Sequence, residues 1–133
     1  MARDAEHLER AVAEVQSQVP PGTPTYVATR RADLVSSGYP LLYVLAERPN
    51  ATRYDIAAPG VVTSAPVQRE IVADLERSRP PAVVRDTSPL TAAPEPNRAG
   101  ESSGVRLLDE YLAREYRPVA RYGRFEILSR GSP

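Results

Sequence analysis

The 133-residue sequence contains no cysteine, no tryptophan and no lysine, and only one histidine, one methionine and one phenylalanine. Without cysteine there is no disulfide, no thiolate nucleophile and no Cys-ligated metal. A lone histidine, His7, cannot form a Ser-His-Asp arrangement or a metal site without a second centre, and it falls on an amphipathic segment where a surface imidazole is ordinarily inert. Charge of one sign is also missing, because seventeen acidic residues balance seventeen arginines. No global field therefore draws the chain to nucleic acid or anionic lipid. The replacement of every lysine by arginine, with abundant Ala, Val and Pro, reads as the bias of a GC-rich bacterial genome. Arginine is nevertheless the better bidentate anion binder.

Long apolar runs are absent too. Nothing approaches the ~20 residues of a membrane-spanning helix, and Met1-Ala2-Arg3-Asp4-Ala5-Glu6-His7 is too charged for the apolar region of a signal peptide. The isolated chain is expected to be soluble. There is no G-x-G-x-x-G and no G-x-x-x-x-G-K-[ST], so neither a dinucleotide nor a P-loop nucleotide is signalled. No metal, cofactor or catalytic residue is expected, and a stand-alone enzyme is disfavoured.

What is present is alternating helix and strand patterning. Leu8, Val12, Val15 and Val19 repeat on one face of a helix over 4–19, which Pro20-Pro21-Gly22 stops. Residues 25–29 are a β-rich run. A second helix begins near Tyr39, with Pro40 in its first turn and a cap at Ser36, Ser37 or Gly38. Leu41, Leu42, Val44 and Leu45 make it apolar nearly all round, as in a segment buried between layers, and Pro49 ends it. Residues 50–63 look irregular. Thr63 or Ser64 caps a third helix with Val67, Ile71, Val72 and Leu75 on one face. Residues 82–86 read as a central strand covered on both faces. Residues 87–103 read as a mobile surface loop, and Ser102 or Ser103 as the cap of a fourth helix facing inward through Val105, Leu108, Tyr111 and Leu112. A hairpin about Tyr122-Gly123 closes the chain.

The fold class that follows is α/β: one domain over 1–133 with a small, three-layer, Rossmann-like sheet. The sheet is expected to be mainly parallel with a carboxyl-terminal antiparallel hairpin and helices on both faces. Residues 1–3 and 131–133 are expected as disordered ends. Two groups of polar side chains are candidates for binding. Arg30 and Arg31 follow the first strand and Asp86 the second, where open α/β sheets border their ligand crevice. The other group, Arg48, Asn50, Arg53, Tyr54 and Asp55 beside Tyr43, suits a sugar, phosphate or peptide surface, or equally a structural turn.

The stretch Pro40-Leu41-Leu42-Tyr43-Val44-Leu45-Ala46-Glu47-Arg48-Pro49-Asn50-Ala51-Thr52-Arg53-Tyr54-Asp55 resembles "LYFLxxRxNPTRYD". That pattern belongs to the carboxyl-terminal soluble region of polytopic, GT-C-type, mannosyltransferase-like glycosyltransferases that use lipid-phosphate-linked sugars. The similarity extends through Gln68-Arg69-Glu70-Ile71-Val72-Ala73-Asp74-Leu75-Glu76, the following Pro-Pro and Val-Val, and the ending from Leu112 to Leu128. Ala51 stands where the pattern has proline. The resemblance implies a non-catalytic domain on the extracytoplasmic face of the membrane. Its partners would be the membrane-embedded portion of the same polypeptide and an acceptor glycan or peptide. The family's catalytic acids lie between early membrane helices, so none is carried over. The alternatives are a stand-alone module for a small anionic ligand and a structural interaction domain.

Overall fold

Periodicity, proline and glycine place most elements where physics requires them. The computed structural model describes residues 2–29, 41–54, 63–87 and 104–130. Helix α1 (Ala2–Gln18) buries Ala11 and Val15 at four-residue spacing, and Val19 continues the stripe just past the helix end. It starts at Ala2, so the amino end expected as disordered is already helical. Strand β1 is Val27–Ala28, shorter than the β-rich run predicts. One reason is that the Val27 amide donates to the Tyr43 hydroxyl at 2.8 Å instead of to a neighbouring strand. Thr25 forms a parallel bridge with Asn50, which lays residues 49–51 along that edge.

Helix α2 (Leu41–Ala46) corrects an expectation. Only Leu42 and Ala46 are buried, while Leu41, Val44 and Leu45 are 48%, 69% and 41% exposed. A six-residue helix packed on α1 has one covered side, and apolar composition alone cannot show that the other side faces outward. Helix α3 (Ala65–Ser78) takes Ser64 as its cap, with the Val67 amide 3.4 Å from Ser64 Oγ, and buries Ile71 and Leu75. It ends in left-handed Arg79 (φ 46°), whose amide returns to Leu75 O. Strand β2 (Ala82–Asp86) follows Pro80-Pro81.

Helix α4 (Leu107–Glu115) begins later than a serine cap predicts. Arg106 at the cap position makes no side-chain cap bond, and Ser102 and Ser103 lie outside the described residues. The orphan donor is served from another helix. Fully buried Gln68 accepts from the Leu108 amide at 3.0 Å and donates to Val105 O at 3.1 Å. Strands β3 (Tyr116–Tyr122) and β4 (Phe125–Arg130) form the expected hairpin. At its turn Gly123 has φ 60°, and a Cβ there would come within 2.2 Å of the His7 ring, so glycine is required twice over.

The sheet order is β1-β2-β4-β3, with β1 and β2 parallel and both other pairings antiparallel. The expected mainly parallel sheet is therefore corrected to a mixed one. Helices link β1 to β2 and β2 to β3, and the hairpin inserts β4 antiparallel between β2 and β3, in register Val84↔Ile127 with β2. Alternation then sorts the core. Val27, Ala82, Val84, Phe125 and Ile127 meet α1 and α2, while Tyr26, Ala28, Val83 and Leu128 meet α3 and α4. Helices thus cover both faces, and each fully buried Leu, Ile or Phe contributes about 1.5–3 kcal/mol. Of the expected loop, Thr87 is fixed by donating its amide to Arg124 O at 2.8 Å, and 88–103 lie outside the described residues.

Candidate functional site

The polar block after α2 divides into an inner and an outer part. Arg48 is buried. Its Nε donates to Val19 O at 2.8 Å, its Nη1 to Ala46 O at 3.0 Å and Glu47 O at 3.2 Å, and its Nη2 to Gln16 O at 3.4 Å. One guanidinium therefore serves the carbonyl ends of both α1 and α2, where a cation also complements the helix dipoles. Asn50 closes the loop. Its Oδ1 accepts from the Thr52 amide (2.8 Å) and hydroxyl (3.1 Å), and its Nδ2 donates to Tyr54 O (2.8 Å). Tyr43 supplies the acceptor for β1 described above. These three candidates are placed as connectors.

Arg53 and Tyr54 face outward onto α3. Arg53 donates Nε to Glu70 Oε2 at 2.7 Å and Nη2 to Glu70 Oε1 at 3.0 Å, and the Tyr54 hydroxyl donates to Glu70 Oε1 at 2.9 Å. The guanidinium carbon lies 5.1 Å from the Tyr54 ring centroid. The Arg53 and Tyr54 hydrogen bonds hold the Glu70 carboxyl below its usual range and raise Arg53. The Arg53 side chain remains 72% exposed, so this trio presents a cation, an aromatic edge and a carboxylate to solvent. Such a surface can accept and donate hydrogen bonds to a polyhydroxylated or peptide partner.

Asp86, at the end of β2, is not free for a ligand. Arg124 grips it side-on, Nε to Oδ1 at 2.9 Å and Nη2 to Oδ2 at 2.5 Å. Arg30, Arg31 and Asp55 lie outside the described residues.

The densest polar cluster was not legible in the sequence. It joins α3, α4, β3 and β4 across 54 residues. Tyr111 donates to Glu76 Oε2 at 2.8 Å. Arg130 Nη1 donates to both the Tyr111 and Tyr116 hydroxyls, at 3.1 and 3.2 Å, and Arg130 Nη2 to Glu76 at 3.1 Å. Tyr116 in turn donates to Pro80 O at 2.7 Å. Burial pushes the Tyr111 hydroxyl up to about 12, and bonds from Tyr111 and then Arg130 hold Glu76 low. With every partner engaged, the cluster acts as a clamp on the last strand. One spacing also goes beyond the motifs considered above: Gly100-Glu101-Ser102-Ser103-Gly104 matches G-x-S-x-G. The motif requires a preceding strand and a nearby histidine. No β-rich run precedes it, and His7 packs on Gly123.

Among the described residues there is no group of three His, Asp or Glu able to hold a metal ion, and no helix long and apolar enough to cross a membrane. No family profile matches the chain, and no curated protein or solved structure matches it.

Proposed function

We propose that the chain is a non-catalytic, extracytoplasmic α/β domain of a polytopic membrane glycosyltransferase that uses a lipid-phosphate-linked sugar. In this reading it is joined to the membrane-embedded portion of the same polypeptide, and it positions the acceptor or braces the membrane part. A Rossmann-like, three-layer kinship belongs to the same proposal and rests on the parallel β1–β2 half alone.

One observation carries the reading. The resemblance is spread over separate stretches of sequence, and their distinctive polar residues meet in space. Arg53 and Tyr54 of the first stretch hold Glu70 of the second, and Tyr116 of the last reaches Pro80 of the Pro-Pro step. A chance pattern match carries no such requirement. The outward Arg53-Tyr54-Glu70 surface is then the acceptor-facing candidate.

The test is detection of the native protein in fractionated cells with an antibody raised against residues 1–133. A membrane-bound species several times the size of this chain, with the epitope accessible from outside the cytoplasm, supports the proposal. A soluble species of 133 residues overturns it.

A further inference from the structure

The two edges of the sheet are built differently. The β1 edge is closed from within. The Thr25 amide donates to Pro49 O at 2.9 Å, the Ala51 amide to Thr25 O at 2.8 Å and the Val27 amide to the Tyr43 hydroxyl. The other edge is β3, which bonds to β4 on one side and to no strand on the other. Its middle is open to solvent: Arg117, Pro118, Val119 and Arg121 are all exposed, Val119 by 49%.

The pairing register tells which backbone groups face out. The Arg130 amide donates to Pro81 O and the Thr87 amide to Arg124 O, so Glu126, Leu128 and Arg130 bond toward β2. Phe125, Ile127 and Ser129 then bond toward β3, opposite Tyr122, Ala120 and Arg117. Arg121 therefore turns its amide and carbonyl outward. Pro118 takes the other outward position, where its missing amide removes nothing from the sheet.

The charge on this edge has one sign. β3 carries two arginines and no acid. Arg121 donates Nε to Gly123 O at 3.1 Å and Nη2 to Thr87 Oγ1 at 3.0 Å, both neutral acceptors, and neither arginine forms an ion pair among the described residues. In a regular strand residues 117 and 121 would share a face. The register shift between Pro118 and Ala120 puts them on opposite faces. Arg117 lies opposite Ser129, which bonds to Gln18 of α1, and Arg121 lies opposite Glu126 on the other face. Those two partners are three residues apart on β4, so a regular strand along the outer side would meet both arginines with acids at that same spacing. Proline, bulge and arginine together blunt an edge against its own kind. Two copies of β3 would bring arginines together with no acid to offset them, whereas a strand of opposite charge is attracted.

We propose that β3 is a docking edge for an extended acidic peptide, which adds to the sheet as a fifth strand with carboxylates three residues apart facing Arg117 and Arg121. The edge does not depend on the membrane parentage proposed above, and its test does not involve it.

The experiment follows the Arg121 amide resonance of the ¹⁵N-labelled chain during titration with acetyl-Thr-Glu-Val-Thr-Glu-Val-Thr-amide. One comparison peptide has lysine for both glutamates. Another has both glutamates N-methylated, which keeps the charge but removes the amide that would bond to Arg121. A saturable shift with the first peptide supports the edge, together with affinity lower by roughly tenfold or more for the lysine peptide. The N-methylated peptide should bind more weakly than its parent, and Arg117→Glu, a change at an exposed side chain, should narrow the preference for glutamate over lysine. The proposal is overturned by no saturable shift, by equal affinity for the glutamate and lysine peptides, or by undiminished affinity of the N-methylated one. It is overturned equally if the Arg121 amide shifts with protein concentration alone as the chain dimerises, which would make a second copy the occupant.

Discussion

Two arginines five residues apart make opposite predictions about stability. Arg48→Ala removes a buried guanidinium whose two best bonds, 2.8 Å to Val19 O and 3.0 Å to Ala46 O, lie at the ends of α1 and α2. A hydrogen bond involving a charged group contributes about 1.5–3 kcal/mol. Two of them, offset by water reaching the vacated carbonyls, give a loss of about 3 kcal/mol. Arg53→Ala deletes a better-looking interaction, bidentate and stacked on Tyr54, but on a side chain 72% exposed. Exposed ion pairs contribute about 0–1 kcal/mol, so its loss should stay below about 1 kcal/mol. In a chain whose whole stability is about 5–15 kcal/mol, the first change is severe and the second nearly silent. Urea unfolding read by far-ultraviolet circular dichroism measures both, with the slope checked for constancy. In thermal terms Arg48→Ala should lower Tm by about 10 °C. Equal losses, or a larger loss for Arg53→Ala, would refute the division of this block into an inner connector and an outer surface.

Leu42→Ala should cost about 2–5 kcal/mol, because it opens a cavity beneath α2. Val44→Ser on the same helix should stay within about 0.5 kcal/mol, and a large loss there would show that α2 is covered on both sides. Gly123→Ala should destabilise by about 1–3 kcal/mol through its positive φ, and further through the clash with His7. His7→Ala in the same chain should recover the second part but not the first, as a double-mutant cycle in urea would read. Stability should also fall on acidification. Glu70 and Glu76 both have folded pKa values below their ordinary 4.5, so their contribution is present above that pH and is lost as pH falls through the lowered values. Glu70→Gln and Glu76→Gln should each flatten the acid limb of a stability-versus-pH curve, and an unchanged limb in both would contradict the assignment.

The readable parts of this fold are those set by local rules. Ser64 with Pro66 starts α3, Pro80-Pro81 separates it from β2, and Gly123 turns the hairpin. Each depends on backbone chemistry within a few residues. What stayed hidden depends on where an element docks. The apolar composition of α2 is the same whether one side or both are covered. Gln68 looks like any helical polar residue until it caps a helix 40 positions away. The place of β4 beside β2 decides that the sheet is mixed, and no spacing in the chain encodes it. The Glu76-Tyr111-Tyr116-Arg130 clamp draws on four elements, so its members have no shared sequence signal.

This sorting narrows where the molecule meets its surroundings. Arg48, Asn50, Tyr43 and Asp86, four of the six candidates among the described residues, are held in internal bonds that join elements. Of the candidate residues, Arg53 and Tyr54 keep polar atoms facing outward, with Glu70 as their shared partner. Tyr54 packs against the cluster formed with α3 and α4. The outward surface on which the proposed acceptor contact rests is therefore on the α3/α4 side. Substitution at Arg53 should affect the proposed acceptor contact with little effect on the α1/α2 core, which is built from Val15, Val19, Leu42, Val84 and Ile127.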